Sequence, residues 1–225
     1  NNKKRQNAMS TPVEPLSSSI LSIMYFGDVV FAVSGALTAA RFRMDIIGFV
    51  LIGTITGIGG GTTRDLLLGR TVWWTQDPTE LLLCISASLV TYFFIARQAS
   101  QRKRLVWADA LGLSVFSVVG CHIALAHGAP TTIAVFMGVI TATGGGLIRD
   151  VITNTQPMVV SGQIYATAAL SGSLIYAVLR QLQAPDIAAE LLACLAAFSL
   201  RAAAIAYNIR MGPPGSFIHF DRDRH

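Results

Sequence analysis

The chain has 225 residues, of which 52% are hydrophobic and only 13% are charged, whereas about a quarter of the residues in ordinary soluble domains carry charge. Its net charge of +5 comes without a basic stripe interleaved with aromatic residues, which argues against a nucleic-acid partner. The three cysteines have no metal-ligand spacing and imply no disulfide framework. We therefore expect an all-α integral membrane protein with no cofactor and no tightly bound metal.

The apolar residues fall in seven runs, most of them near the roughly 20 residues needed to cross a hydrocarbon layer. In chain order they are about 20–40, 46–68, 81–96, 106–126, 131–152, 162–179 and 187–207, of which the third and sixth are short. The first run lacks a small-residue cleavage site, so we expect a retained helix rather than a removed signal peptide. Residues 1–8 precede Met9, and we expect part of the N-terminal tail to be an expression remnant.

One motif occurs twice, 85 residues apart: GGGTTRD at 59–65 and GGGLIRD at 144–150. The same offset aligns Gly53 with Gly138 and Thr56 with Thr141. Each half contains three spans, and because three is odd, the second half enters the membrane from the opposite face, as in an inverted repeat. We therefore predict an N-terminal tail (1–19), a first repeat (20–97), a basic linker (98–105), a second repeat (106–181), an unpaired seventh helix (186–207) and a C-terminal tail (208–225).

The glycine triplets lie inside the second and fifth runs, where each glycine weakens a helix by about 1 kcal/mol relative to alanine. In lipid, irregular backbone is tolerated only where it is buried in protein or lines a wet cavity. The triplets therefore predict broken helices beside a polar path, with potassium or sodium binding transiently near the kinks. The alternative is close helix crossing, which glycine also permits. The six glycines of the two triplets are Gly59, Gly60, Gly61, Gly144, Gly145 and Gly146.

Each triplet is followed by an Arg-Asp pair, Arg64-Asp65 and Arg149-Asp150. Adjacent helical residues point about 100° apart, which makes each pair poorly placed to neutralise itself. An unpaired charge at mid-membrane costs about 3 kcal/mol on insertion scales. We therefore expect Arg64 to meet Asp150 and Arg149 to meet Asp65 across the pseudo-twofold axis, either as a structural clasp or as a gate.

Other polar residues interrupt the apolar runs. Asp28 lies near the middle of the first span and is either a functional carboxylate or one that belongs to an ion pair or a helix end. Thr62 hydrogen-bonds water or an ion, or its own helix backbone. Asp109 lies nearer a helix start, where capping is expected. Arg201 is expected either to extend to the inner surface or to pair near it. We expect the tryptophans at the span ends to be interfacial anchors.

Basic residues lie unevenly at the ends of the runs. The positive-inside rule favours an outer N-terminus and a cytoplasmic C-terminus, although the basic residues before Met9 argue mildly against it. Arg70 and Arg180 are then left on the outer side. The inner side receives Arg41, Arg43, Arg97, Arg102, Lys103, Arg104, Arg210, Arg222 and Arg224.

The duplicated GGG-x-x-RD, its spacing and the count of spans resemble the prokaryotic branch of the trimeric intracellular cation (TRIC) channel family, also filed under a glycine-transporter domain name. The resemblance covers about residues 20–207. It implies a homotrimer in a prokaryotic plasma (inner) membrane, with a potassium-permeable pore inside each seven-helix subunit. The second and fifth helices would line the pore, with the Arg-Asp pairs beside it. The two copies differ after the motif, and the lysine-bearing lipid-binding segment of the animal branch has no match.

Our preferred hypothesis is a monovalent cation channel gated by rearrangement of polar and Arg/Asp contacts. The alternative is a secondary transporter of a small zwitterion such as glycine, since helix ends at the breaks would attract both of its charges. A third, less attractive hypothesis is a structural membrane protein. No nucleophile–base pair or phosphate-binding loop is recognisable, so we do not expect an enzyme.

Overall fold

The computed structural model describes residues 18–95, 101–160, 164–210 and 219–220. These residues form seven α-helices, as the apolar runs predict. The helices are α1 (Ser18–Arg41), α2 (Ile46–Leu67), α3 (Thr79–Ile95), α4 (Gln101–Ala126), α5 (Thr131–Ile152), α6 (Ala166–Gln181) and α7 (Asp186–Ala206). Single 3-10 turns lie at Trp73–Thr75 and Met158–Val160, and β1 (Ile209–Arg210) pairs antiparallel with β2 (His219–Phe220).

Five helices, α1, α2, α4, α5 and α7, are long and apolar enough to cross a membrane. Helices α3 and α6 have 17 and 16 residues, which confirms that the third and sixth spans are short. Helix α4 begins at Gln101, before its apolar run, so residues 101–105 of the predicted linker belong to this helix. The rest of that linker, most of the N-terminal tail and most of the C-terminal tail lie outside the described residues.

Local sequence explains where several helices begin. The Asp45 carboxylate accepts a hydrogen bond from the Gly48 backbone N–H at 2.8 Å and caps α2. The Asp77 carboxylate accepts a hydrogen bond from the backbone N–H of Thr79, the first residue of α3. Pro130 and Pro185 directly precede α5 and α7, where a helix does not require an N–H donor.

Equivalent helices of the two repeats pack against each other in the core. The rings of Phe31 on α1 and Phe116 on α4, which are equivalent at the repeat offset, lie 5.1 Å apart. Gly53 on α2 contacts Ser88 on α3, and Gly138 on α5 makes the same contact with Ser173 on α6. The matched contacts show an inverted pair of three-helix units, with α7 added outside the repeat.

Candidate functional site

Helices α2 and α5 cross at the two glycine triplets. A Cβ atom added to Gly60 would overlap the carbonyl oxygen of Thr141, and one added to Gly145 would overlap that of Thr56. A Cβ on Gly144 would lie 3.2 Å from the Cα of Gly60. In these contacts the residue number rises on one helix as it falls on the other, so the helices cross antiparallel. Backbone meets backbone at the centre of the molecule.

Both helices continue as regular α-helix through the triplets. The prediction that the triplets break the helices is therefore wrong, and the alternative, close crossing, describes their packing. The close approach of two backbones offsets the low helix propensity of glycine, since any larger residue would prevent it. A role for the six glycines in lining a path stays a prediction.

A first polar cluster, consisting of Asp28, Arg64, Asp65, Trp73 and Glu80, lies at the end of the crossing where α2 ends. Arg64 is 2% exposed, and its Nε donates to Asp65 Oδ1 at 2.9 Å. Its guanidinium carbon lies 5.3 Å from the centre of the Trp73 ring, within cation–π range. The carboxylates of Asp28 and Glu80 are also buried. This end of the crossing therefore combines buried charge with an aromatic cover.

A second polar cluster, consisting of Ser34, Asp109, Arg149 and Asp150, lies at the opposite end of the crossing. Arg149 is fully buried, and its Nε donates to Asp150 at 2.8 Å. Its Nη1 donates to Asp109 at 2.9 Å and to the Ser34 hydroxyl at 2.6 Å. Two carboxylates and a hydroxyl from three helices thus hold one guanidinium.

The expected pairing across the repeats is wrong. Arg64 binds Asp65 and Arg149 binds Asp150 instead, because the pseudo-twofold axis passes between the triplets and sends the two motif ends in opposite directions. At 1.5 Å per residue, the two arginines are separated by about 14 Å along the crossing. The long arginine side chain can bend back to its sequence neighbour, which compensates for the 100° offset. The capping role expected of Asp109 is also wrong, since Asp109 is buried inside α4 and paired with Arg149.

The Thr62 hydroxyl donates one hydrogen bond and accepts another. It donates to the Ile58 carbonyl of its own helix at 2.8 Å, the second of the two expected arrangements. The same oxygen accepts a bond from Trp74 Nε1 at 2.9 Å. Trp74 is therefore fixed to α2 by a specific contact as well as lying at a span end.

Arg201 of α7 is 1% exposed, so its guanidinium does not extend into solvent, and pairing, the other expected arrangement, describes it. Its Nη1 donates to the Ile164 carbonyl at 3.1 Å, and its guanidinium lies 5.0 Å from the centre of the Tyr165 ring. Sequence reasoning missed Glu80 and Tyr165 as buried polar residues. The spacing of Glu80, Cys84 and Ser88 along one helical face was the signal available for Glu80.

A cavity of about 320 Å³ opens beside the second polar cluster. Asp150 joins the cluster to this cavity, which Arg41 and Arg102 also line, together with the polar Gln156 and the apolar Met158. The crossing is thus bordered on this side by a space large enough for several water molecules.

Comparisons with known proteins agree on one family. The family model described as "Glycine transporter" matches the chain twice, at residues 21–96 and 106–181. The chain is 37% identical over 188 residues to the UPF0126 inner membrane protein YadS of Escherichia coli, covering 82% of this chain and 91% of the relative. It is similar to the crystal structure of the TRIC trimeric intracellular cation channel orthologue from Rhodobacter sphaeroides, with a TM-score of 0.83, 43% identity, and coverage of 85% of this chain and all of that one. A second structure, described in terms of conductance through TRIC cation channels, has a TM-score of 0.76, 34% identity, and coverage of 85% and 95%.

Proposed function

Since the chain belongs to the prokaryotic branch of the TRIC family, we propose that it is a potassium-permeable cation channel with a pathway inside each protomer. The observation that carries this proposal is the antiparallel crossing of α2 and α5, where two backbones meet without intervening side chains. A buried polar cluster flanks the crossing at each end. Polar groups are costly inside a membrane protein and are expected where water or ions pass.

The crossing itself is the proposed gate. In the conformation described, the backbone of the Gly59–61 triplet contacts that of the Gly144–146 triplet, which leaves no room for an ion between them. Conduction therefore requires α2 and α5 to separate, while the contacts of Arg64 and Arg149 at the two ends rearrange. Because glycine has no side chain, a small separation of the helices opens space along the whole crossing.

The charges are arranged so that the arginines need not repel a cation. Arg64 is bound to Asp65, and Arg149 is bound to both Asp109 and Asp150. The remaining carboxylate oxygens are hard ligands that offset partial dehydration of a potassium ion. Because the helices are continuous, carboxylates and water rather than freed backbone carbonyls would supply this compensation.

The relatives and the distribution of charge support the proposed membrane arrangement. The protein is a multi-pass membrane protein, and its E. coli relative is named as an inner membrane protein. We propose the same membrane here, with the N-terminus outside and the C-terminus in the cytoplasm, by the positive-inside rule. The trimeric state in the name of the Rhodobacter sphaeroides relative supports a homotrimer.

Electrogenic potassium flux tests the proposal. Proteoliposomes containing the full chain, with an outward potassium gradient, should develop an inside-negative potential that does not require glycine. Protein-free vesicles from the same lipids are the control. The family model's description favours the zwitterion carrier as the second candidate, although continuous helices remove the mid-membrane helix ends that such a carrier needs. Saturable glycine uptake without potassium current would establish the carrier instead.

A further inference from the structure

Two carboxylates of the first polar cluster are buried with at least one oxygen that accepts no hydrogen bond from the described residues. Asp28 is 0% and Glu80 4% exposed. Within the described part of the chain, neither carboxylate oxygen of Asp28 has a hydrogen-bond partner, and Oε2 of Glu80 has none. Such groups are normally paired or bound to a cation, because an isolated buried charge is very costly.

The helix packing directs the two carboxylates towards each other. Helices α1 and α3 run parallel, because each is antiparallel to α2, and the Cys84 thiol of α3 contacts the Asp28 carbonyl oxygen at 3.7 Å. Glu80 lies one turn before Cys84, about 6 Å nearer the start of α3. The Asp28 side chain also leans towards the start of its own helix. Glu80 is accordingly a charged neighbour of Asp28.

Neighbouring groups do not neutralise this pair. Arg64 is bound to Asp65 at 2.9 Å, and Arg70 Nη1 lies 3.6 Å from the same carboxylate. Two arginines therefore balance only two of the three carboxylates of Asp28, Asp65 and Glu80. The charged and titratable groups that face the pair are Arg64 from α2, Tyr25 from α1, Cys84 from α3 and Asp77 from the preceding loop. Only one of these is a cation. The pair is therefore suited to hold a positive ion.

We propose that Asp28 and Glu80 together bind one monovalent cation, and that protons compete for the same oxygens. The inference deepens the proposed channel function, since it places an ion-binding step on one side of the glycine crossing. It also assigns a role to Glu80, on a helix other than the two that cross. Acidification should then reduce conduction, because protonated carboxyls no longer attract the ion.

Binding is tested first without any transport assay. The midpoint of thermal unfolding of the purified full chain is compared in potassium chloride and in N-methyl-D-glucamine chloride of equal ionic strength. Potassium should raise the midpoint of the wild-type protein, since a ligand that binds only the folded state stabilises it. The potassium concentration at which the midpoint begins to rise, which reflects the dissociation constant, should be about tenfold or more higher in Asp28→Asn and Glu80→Gln. Equal midpoints of the wild-type protein in the two salts would overturn the proposal.

Asp77→Asn is the matched control, because it removes the same charge from the same end of the bundle. Asp77 is exposed, and hydrogen bonds from Thr79 hold the pKa of its carboxyl below the usual value, so it is ionised at neutral pH. Its potassium response should change much less than that of Glu80→Gln, because solvent and salt screen an exposed charge. A loss in Asp77→Asn as large as in Glu80→Gln would mean general surface charge and would refute the site.

Single-channel recordings then separate this inference from the channel proposal. In dilute potassium chloride, conductance should fall by about tenfold or more in Glu80→Gln, because this variant loses one of the two unit charges that attract the ion. Concentrated salt should reduce the difference by screening. Unchanged conductance in both carboxamide variants would overturn the inference and leave the channel intact. A silent wild-type protein whose stability still depends on potassium would keep the site and contradict the channel.

Discussion

Alanine substitution at adjacent positions of one glycine triplet isolates the energy of the helix crossing. A Cβ on Gly60 would overlap the Thr141 carbonyl oxygen and lie 3.3 Å from the Gly145 amide nitrogen. Both groups belong to helix backbone and cannot rotate away, so α2 and α5 must move apart. A Cβ on Gly59 would lie 3.0 Å from the Ile148 Cδ1 atom, the flexible end of a side chain that can adjust.

Replacing glycine by alanine should stabilise either helix by about 1 kcal/mol through its helix propensity. This contribution is the same in both variants, so it cancels when Gly59→Ala and Gly60→Ala are compared. Overpacking of a rigid contact costs about 1–3 kcal/mol, and the backbone overlap at Gly60 belongs at the upper end of that range. Gly59→Ala should consequently be close to the wild-type protein in stability. Gly60→Ala should be less stable than Gly59→Ala by about 2–3 kcal/mol.

Unfolding in mixed detergent micelles, followed by circular dichroism as denaturing detergent is added, measures this difference. Gly145→Ala provides an internal check, because a Cβ there would overlap the Thr56 carbonyl oxygen in the equivalent contact of the other repeat. It should match Gly60→Ala. Equal stability of Gly59→Ala and Gly60→Ala would refute the assignment of the triplets to a close backbone crossing.

Two further substitutions test the polar clusters. Asp109→Asn leaves Arg149 with one carboxylate in a buried site and should lower the free energy of unfolding by about 3 kcal/mol. Asp186→Asn, the control in an exposed ion pair, should lower it by at most about 1 kcal/mol. Equal effects of the two variants in the same detergent titration would contradict the burial argument. Trp74→Phe removes the hydrogen bond donated to Thr62 and should lower the free energy of unfolding by about 1 kcal/mol, as measured by thermal unfolding. No loss of stability would show that the indole contributes through packing alone.

The architecture could be predicted from the sequence because its signals are local or repeated. Apolar runs of membrane-spanning length and the recurrence of GGG-x-x-RD were sufficient for the seven helices and the inverted repeat. The sequence did not predict that the helices continue through the glycine triplets, because helix propensity takes no account of packing against the backbone of another helix. The carbonyl of Thr141 lies against Gly60 although the two residues are far apart in sequence. That contact is what keeps the helix regular.

The partners of the buried charges were also beyond sequence reasoning. The correct repeat symmetry did not reveal where the pseudo-twofold axis lies along α2 and α5, and this position decides whether Arg64 meets Asp150 or Asp65. Asp109 resembles a helix cap until Arg149, from another helix, is placed beside it. Glu80 follows Asp77 and a proline and looks like part of a polar loop, although it is buried. In each case a long-range contact overrides the local pattern.

Chemical modification at the crossing tests the proposed pathway most directly. In a background lacking the three native cysteines, Thr63→Cys places a thiol beside Gly144, whose Cβ position is 4.0 Å from the Thr63 hydroxyl. Leu66→Cys on the same helix is the control, because the Leu66 side chain is 66% exposed. A membrane-impermeant methanethiosulfonate should abolish single-channel potassium current in Thr63→Cys and leave Leu66→Cys conducting. Unchanged current after complete modification of Thr63→Cys, verified by mass spectrometry, would contradict a path between α2 and α5.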